Sequence, residues 1–220
     1  MSALRLEDGQ SAADLATYVR RAKGVDESGD VRLQALGSVL AAWTCVVPGG
    51  GLLGNGLVLG LRTYALAEPA HLDVTVPLAA ITDRLARDGA AGEPGSVPTE
   101  LPVPPMTTSP SWAALSPPRG GWEPVGQVGA ADLEEAARAG IAEIAQGAPS
   151  GSGAAAVADL RRRVWGRATG TVPPVPSGGA FGLHALGFLG RPDQERDPVT
   201  VHAAGPWTRL STRAGFVLTR

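Results

Sequence analysis

The sequence has one cysteine, Cys45, and one lysine, Lys23. A lone thiol cannot close an internal disulfide, and without partner cysteines it cannot build a zinc knuckle. Cys45 lies in the apolar run 41–47, where an inert buried thiol is expected. Long apolar runs are lacking as well. The longest candidate, Val39 to Val47, falls far short of the roughly 20 residues that a membrane helix needs. Met1 to Arg5 shows no basic stretch leading into an apolar one, so no secretory leader is expected, no membrane partner is expected, and the expected location is cytoplasmic. Charge is scarce, at 18% of residues, and the net charge is −2. No global basic field exists to hold nucleic acid. Residues 1–129 carry 9 basic and 13 acidic groups, while residues 130–220 carry 10 and 8, an asymmetry too mild to name a partner.

What is abundant is glycine, proline and arginine: 30 glycines, 19 prolines, and arginine at every basic position but Lys23. This is a high-GC bacterial composition, a matter of codons rather than of arginine chosen for phosphate. The hydrophobic fraction of 44% is that of an ordinary globular chain, so a folded core is expected.

The chain divides into three stretches. Ala3 to Leu6 reads as a short strand. Ser11 followed by Asp14 resembles a capping box for a helix over about 12–23, with Gly24 at its end. Val31 to Ala35 alternates with the period of a half-buried strand, Gly37-Ser38 offers a turn, and Val39 to Val47 reads as a second strand. A helix over 31–47 competes, but Gly37, Ser38 and the β-branched residues favour strands. Leu57 to Ala67 and Leu72 to Val76 are further strands, and Pro77 opens a helix closed by Gly89. Residues 89–128 hold nine prolines and read as a linker, partly docked through Trp112, Leu115 and Trp122. Beyond it, a helix begins near Asp132 and ends at Gly147, a second is capped by Ser152, and a third runs from Ser177 to Gly190. Three strands follow, over 199–204, 207–211 and 216–219.

The expected fold class is α+β: a β-rich N-terminal unit with two helices over 1–88, a proline-rich crossing over 89–128, and a three-helix unit with a small antiparallel sheet over 129–220. The last strands could instead join the N-terminal sheet and make one continuous domain.

Few residues invite chemistry. Gly49, Gly51 and Gly54 match G-x-G-x-x-G after a strand, the order that a dinucleotide site requires. A helix should then start, yet Asn55-Gly56 is a strong turn signal, so a β–β loop is the better reading of 49–56. Glu68 and Asp73 stand near the distance of a ribose-binding acid. His71 and Asp73 would share one face of a strand, a weak hint of acid–base or metal chemistry. His184 sits in an apolar helix, and His202 alternates toward solvent. No histidine has a second ligand at metal spacing, and no Walker or nucleophile-elbow motif occurs. Arg161, Arg162, Arg163 and Arg167 could form a basic patch, but at roughly 100° per residue they spread around a helix instead of sharing a face.

Three helices followed by a hairpin resemble a winged-helix arrangement, with Arg209, Arg213 and Arg220 on the wing. Its third helix, 179–189, lacks any arginine, lysine, asparagine or glutamine to read base edges. No catalytic, cofactor-binding or metal-binding residue is therefore assigned, and no cofactor is expected. The leading expectation is a non-catalytic protein-binding or scaffolding protein, the expected partners being another protein or a second copy of the chain, with nucleic acid disfavoured. A winged-helix-like DNA-binding regulator and a nucleotide-binding enzyme using loop 49–56 are the alternatives.

Overall fold

The computed structural model describes residues 3–51, 53–91, 99–148 and 153–220, with the side chains of 87–91 left aside. The elements in chain order are β1 (Ala3–Arg5), α1 (Gly9–Val25), β2 (Asp30–Val47), β3 (Val58–Pro77), α2 (Leu78–Ala91), β4 (Glu100–Pro102), a 3-10 turn (Ser111–Ala114), β5 (Glu123–Val128), α3 (Ala130–Gly147), α4 (Ala154–Gly166), α5 (Ser177–Ala185), β6 (Val199–Ala204), β7 (Trp207–Ser211) and β8 (Phe216–Thr219). The fold class is mixed α+β, as the periodicities indicate. Residues 1–45 and 61–114 form one compact unit, and residues 46–60 and 115–220 form the other.

In the first unit, β1 pairs antiparallel with β4, Leu4 opposite Leu101. Helices α1 and α2 pack together. Leu15, Tyr18 and Val19 of α1 are buried, as are Val31, Leu33 and Leu40 of β2. The Tyr18 hydroxyl shares a 3.0 Å hydrogen bond with the Thr44 hydroxyl, so its polar tip is satisfied inside the core. Three expectations need correction here. Asp8, not Ser11, caps α1: its carboxylate accepts from the Ser11 amide at 2.7 Å. Gly37-Ser38 does not turn the chain, because β2 runs unbroken across it, with Gly37 at φ +60° and Leu36 and Val39 exposed. Likewise β3 continues through Pro69 instead of splitting in two.

In the second unit the strand order is β2-β3-β8-β7-β6-β5, with β2 and β3 contributing the ends next to their connecting loop. The amide of Gly56 donates to the Arg220 carbonyl at 2.7 Å and the Arg220 amide to the Leu57 carbonyl at 3.0 Å. Strand β5 lies in the proline-rich stretch and pairs with β6, with a register shift between Pro124 and Gly126. The three final strands stand where their alternation places them. Val201, Leu210 and Val217 lie opposite one another across β6, β7 and β8. Helix α5 covers that face. A Cβ on Gly179 would sit 2.8 Å from Leu210, and one on Gly182 would sit 3.0 Å from Val217. The helix is shorter than expected, ending at Ala185 rather than Gly190, and Pro176 rather than Ser177 occupies its N-cap. The Ser152 cap proposed for α4 lies outside the described residues.

Helices α3 and α4 meet through Trp165, which stacks on Phe181 of α5 at 4.3 Å between ring centroids. Gly140 of α3 leaves room for that indole: a Cβ there would lie 2.3 Å from Trp165 Cζ3. Alanine is a better helix former than glycine. Here the steric cost wins, since Trp165 is buried and fixed by its stacking partner. Gly140→Ala is expected to destabilise the protein by about 1–3 kcal/mol, read as a lower midpoint in urea.

Glu134 of α3 is almost fully buried and takes ion pairs from Arg196 and, at 2.5 Å, from Arg138. The hydrogen bond from Arg196, more than that from Arg138, holds its carboxyl below the ordinary carboxylate range. A depressed carboxyl contributes stability that is present above its unfolded pKa and is lost as pH falls through the folded one. Glu134→Gln should lower Tm at pH 7, and the gap to the parent should close as the pH falls below about 4. A gap that stayed constant with pH would mean that shape, not charge, sets the role of Glu134.

Candidate functional site

The residues that the sequence singles out are, for the most part, already committed to structure. Loop 49–56 joins β2 to β3, and no helix follows it. Gly50 and Asn55 exchange backbone hydrogen bonds at 2.8 and 3.0 Å, closing the loop on itself. Gly51, Gly54 and Gly56 have φ of +66°, +66° and +78°, which explains the glycines by turn geometry. The helix N-terminus that a dinucleotide phosphate would need is not at this position.

Asp73 is held by Arg32 through two 2.8 Å hydrogen bonds and by Gln34 at 2.9 Å. The Arg32 bond, ahead of the one from Gln34, lowers its pKa. Arg32 also donates to the Ala113 carbonyl at 2.8 Å, so this pair ties β2, β3 and the 3-10 turn of the first unit together. Glu68 pairs with Arg5 at 3.2 Å. His71 is exposed on the same strand, beside an Asp73 that is already engaged. Among the described residues no group of three or more His, Cys, Asp or Glu is placed to hold a metal ion.

The arginine cluster of α4 is likewise neutralised. Arg162 and Arg163 both pair with Asp159, and Arg167 pairs with Glu143 at 2.5 Å. Arg161 points to solvent from the same helix. The third helix of the winged-helix reading is α5, and Gly178, Gly179, Ala180, Gly182 and Leu183 of it are buried against the sheet. A helix covered in this way has no free face to lay in a groove. Of the wing residues, Arg213 pairs with Asp197 at 2.8 Å.

Arg209 and Arg220 behave differently, and they bring together residues that the sequence did not link. The cross-strand register puts His202, Arg209 and Leu218 on the face of β6–β8 away from α5. Arg209 lies 4.7 Å from the centroid of the Trp122 ring and 5.9 Å from that of Phe216. Arg220 lies 5.7 Å from the ring of Trp207, which is buried. The Trp122 indole N–H donates to the Pro118 carbonyl at 3.0 Å, which fixes the ring in place over the sheet. Burial lowers the pKa of Arg209, and burial, followed by the Arg209 charge, lowers that of His202. His202 is half-buried with a sealed Nδ1, not solvent-facing as its alternation implies. A cavity of about 460 Å³, lined in part by Thr200 and Ser211 but not by Arg209, opens between the loop 187–198 and the turn 211–214. Its arginines are spoken for: Arg191 pairs with Asp193, Arg196 with Glu134 and Arg213 with Asp197.

The family model described as a domain of unknown function (DUF8010) matches residues 1–114. The chain belongs to this DUF8010 family. A second domain of unknown function, DUF8185, matches residues 117–220. The junction between the two matches falls where the chain passes from the first compact unit to the second, after Ala114. No curated protein matches the chain. Among solved structures it is similar to the DNA polymerase sliding clamp from Pseudomonas aeruginosa, crystallised with a ligand, at 13% identity and a TM-score of 0.51. The match covers 95% of this chain and 62% of the clamp chain, so this chain spans under two thirds of the clamp's length. At that identity the likeness is one of fold. Among the described residues no helix is long and apolar enough to cross a membrane.

Cys45 is the remaining candidate for reactivity. Burial, and then the nearby Asp26 carboxylate, push its thiol up to about 12. The thiolate is the nucleophile, and it is scarce at such a pKa. Alkylation of the native protein by iodoacetamide at pH 8 should be about a thousandfold slower than that of a free cysteine, and should become fast in denaturant. Rapid labelling of the folded protein would make Cys45 a reactive site after all.

Proposed function

We propose that this protein is a non-catalytic binding or scaffolding protein that engages another protein or a second copy of itself. The fold likeness to a sliding clamp carries this reading, since that relative is named for the polymerase it serves. The pairing of half-buried Trp122 with Arg209 supports it: arginine and tryptophan are the side chains over-represented where protein partners bind. The engagement of Glu68 and Asp73 in ion pairs supports it too, because neither carboxylate is left to act as an acid or base. The winged-helix and nucleotide-enzyme readings find less support, given the burial of α5 and the loop geometry of 49–56.

Light scattering over a hundredfold concentration range tests the self-association branch. A mass that rises from 22.4 kDa toward twice that value is expected if the partner is a second copy. Anisotropy with a labelled DNA duplex tests the competing branch. Binding is expected to be weak at low salt and to vanish near physiological ionic strength, because Asp159 and Glu143 already neutralise the α4 arginines. Tight, salt-resistant duplex binding would overturn the scaffolding reading.

A further inference from the structure

Each arginine of the cavity between the loop 187–198 and the turn 211–214 meets a carboxylate, but an ion pair occupies only part of a guanidinium. Arg191 uses its Nε–Nη2 edge on Asp193, at 3.2 and 3.3 Å. Arg213 meets Asp197 through Nε at 2.8 Å. Both pairs stand exposed at the rim, where such pairs are weak. Arg196 differs. Its side chain is only 15% exposed, and it donates to Glu134 through Nη1. Its Nε and Nη2 have no partner among the described residues, and neither atom is sealed from solvent. Arg196 lines the cavity, so the cavity is the space that this free edge meets. Its stem runs past Gly190, with Cγ 3.7 Å from where a Cβ would stand, so the loop positions the guanidinium.

The charge at this inner wall is not balanced. Glu134 is a single carboxylate between two guanidiniums, those of Arg138 and Arg196, so it compensates only one of them. At the rim Arg191 and Arg213 are matched by their own carboxylates, and exposed Glu195 adds a negative charge. Much of the remaining wall is apolar, with Phe188, Leu189 and Val199 buried behind it. Small-molecule sites have this make-up, an apolar lining with a few placed polar groups, and volumes of roughly 300–1,000 Å³. The cavity, at about 460 Å³, has the room that such a ligand needs.

We propose that this cavity binds a small organic acid, a carboxylate on an apolar body, with the Nε–Nη2 edge of Arg196 holding the carboxylate. That edge presents two parallel N–H groups that match the two oxygens of one carboxylate. The apolar body leaves water for the wall formed by Leu189 and Val199. One negative charge matches the one surplus cation. A phosphate dianion would pass Glu195 and Asp197 at the mouth and would bring no apolar surface to bury. An ammonium ion would find Glu195 only at the exposed rim, where solvent screens it, and would face Arg196 inside. The site stands independently of whether the protein is a scaffold.

The test uses the full ¹⁵N-labelled chain and follows the arginine Nε–H signals by NMR. Sodium hexanoate is titrated against sodium chloride at constant ionic strength. A saturable shift of the Arg196 Nε–H signal, assigned by its loss in Arg196→Lys, is expected, with Overhauser contacts from the hexanoate chain to the Leu189 methyl groups. Hexanamide has the same shape without the charge, and acetate has the charge without the body. Each should bind about tenfold more weakly than hexanoate, or worse. Arg196→Lys keeps a cation beside Glu134 but removes the two-donor edge, and should weaken hexanoate roughly tenfold. Arg213→Lys, at the exposed rim, should leave hexanoate binding unchanged. Should Arg196→Lys fail to fold, the comparison of hexanoate with hexanamide on the parent protein still decides. Shifts no larger than those with chloride, equal binding of hexanamide, or tighter binding of hexylammonium or inorganic phosphate than of hexanoate would overturn the proposal.

Discussion

The second unit depends on how closely α5 lies on its sheet. Gly179 and Gly182 put bare backbone against Leu210 and Val217, where any side chain would force the layers apart. That contact decides which face of β6–β8 is covered by helix. It therefore decides which face is left to hold Arg209, Trp207 and His202. The apolar, glycine-rich sequence of α5 makes sense as a packing element. The same sequence would make little sense as a surface reading a groove, and its burial removes it from contact with partners.

The parts of the fold that are legible in the sequence are those governed by local rules. The strands of residues 199–219 alternate cleanly, their turns carry glycine, and they fall where the pattern puts them. The errors have a common cause, which is tertiary pairing overriding a local breaker. Gly37-Ser38 and Pro69 look like ends of strands, yet β2 and β3 run through them as hydrogen-bonded neighbours in one sheet. Nine prolines hide β5, although proline is tolerated on an edge strand, and β5 is the last strand in the order of its sheet. Asp8 outcompetes Ser11 as the α1 cap because it stands one turn earlier with a charged acceptor.

The candidate site was less legible. Arg209 could be noticed as one arginine of a terminal hairpin. Its environment could not, since Trp122 comes from the proline-rich stretch far away in sequence and reaches Arg209 only after β5 has paired with β6. The one available signal was the alternation of Trp207, Arg209 and Ser211 along β7, which puts three hydrogen-bonding side chains on one face. Reading that signal would have required knowing which face α5 takes.

Charge placement then separates structural side chains from available ones. Asp73, Glu68, Arg162 and Arg167 each meet an opposite charge, so their presence is explained by local electrostatics, and exposed pairs of this kind contribute little to stability. Arg209 differs because its neighbours compensate it only in part. Two aromatic rings attract the cation but leave its buried Nε without an acceptor, and in a partly desolvated setting that deficit is larger than it would be in water. A purely structural arginine would be expected to recruit one of the many carboxylates of the chain, as ten others do. That it faces the rings of Trp122 and Phe216 instead makes it a packing element of the sheet, its cation held by π faces in place of a carboxylate.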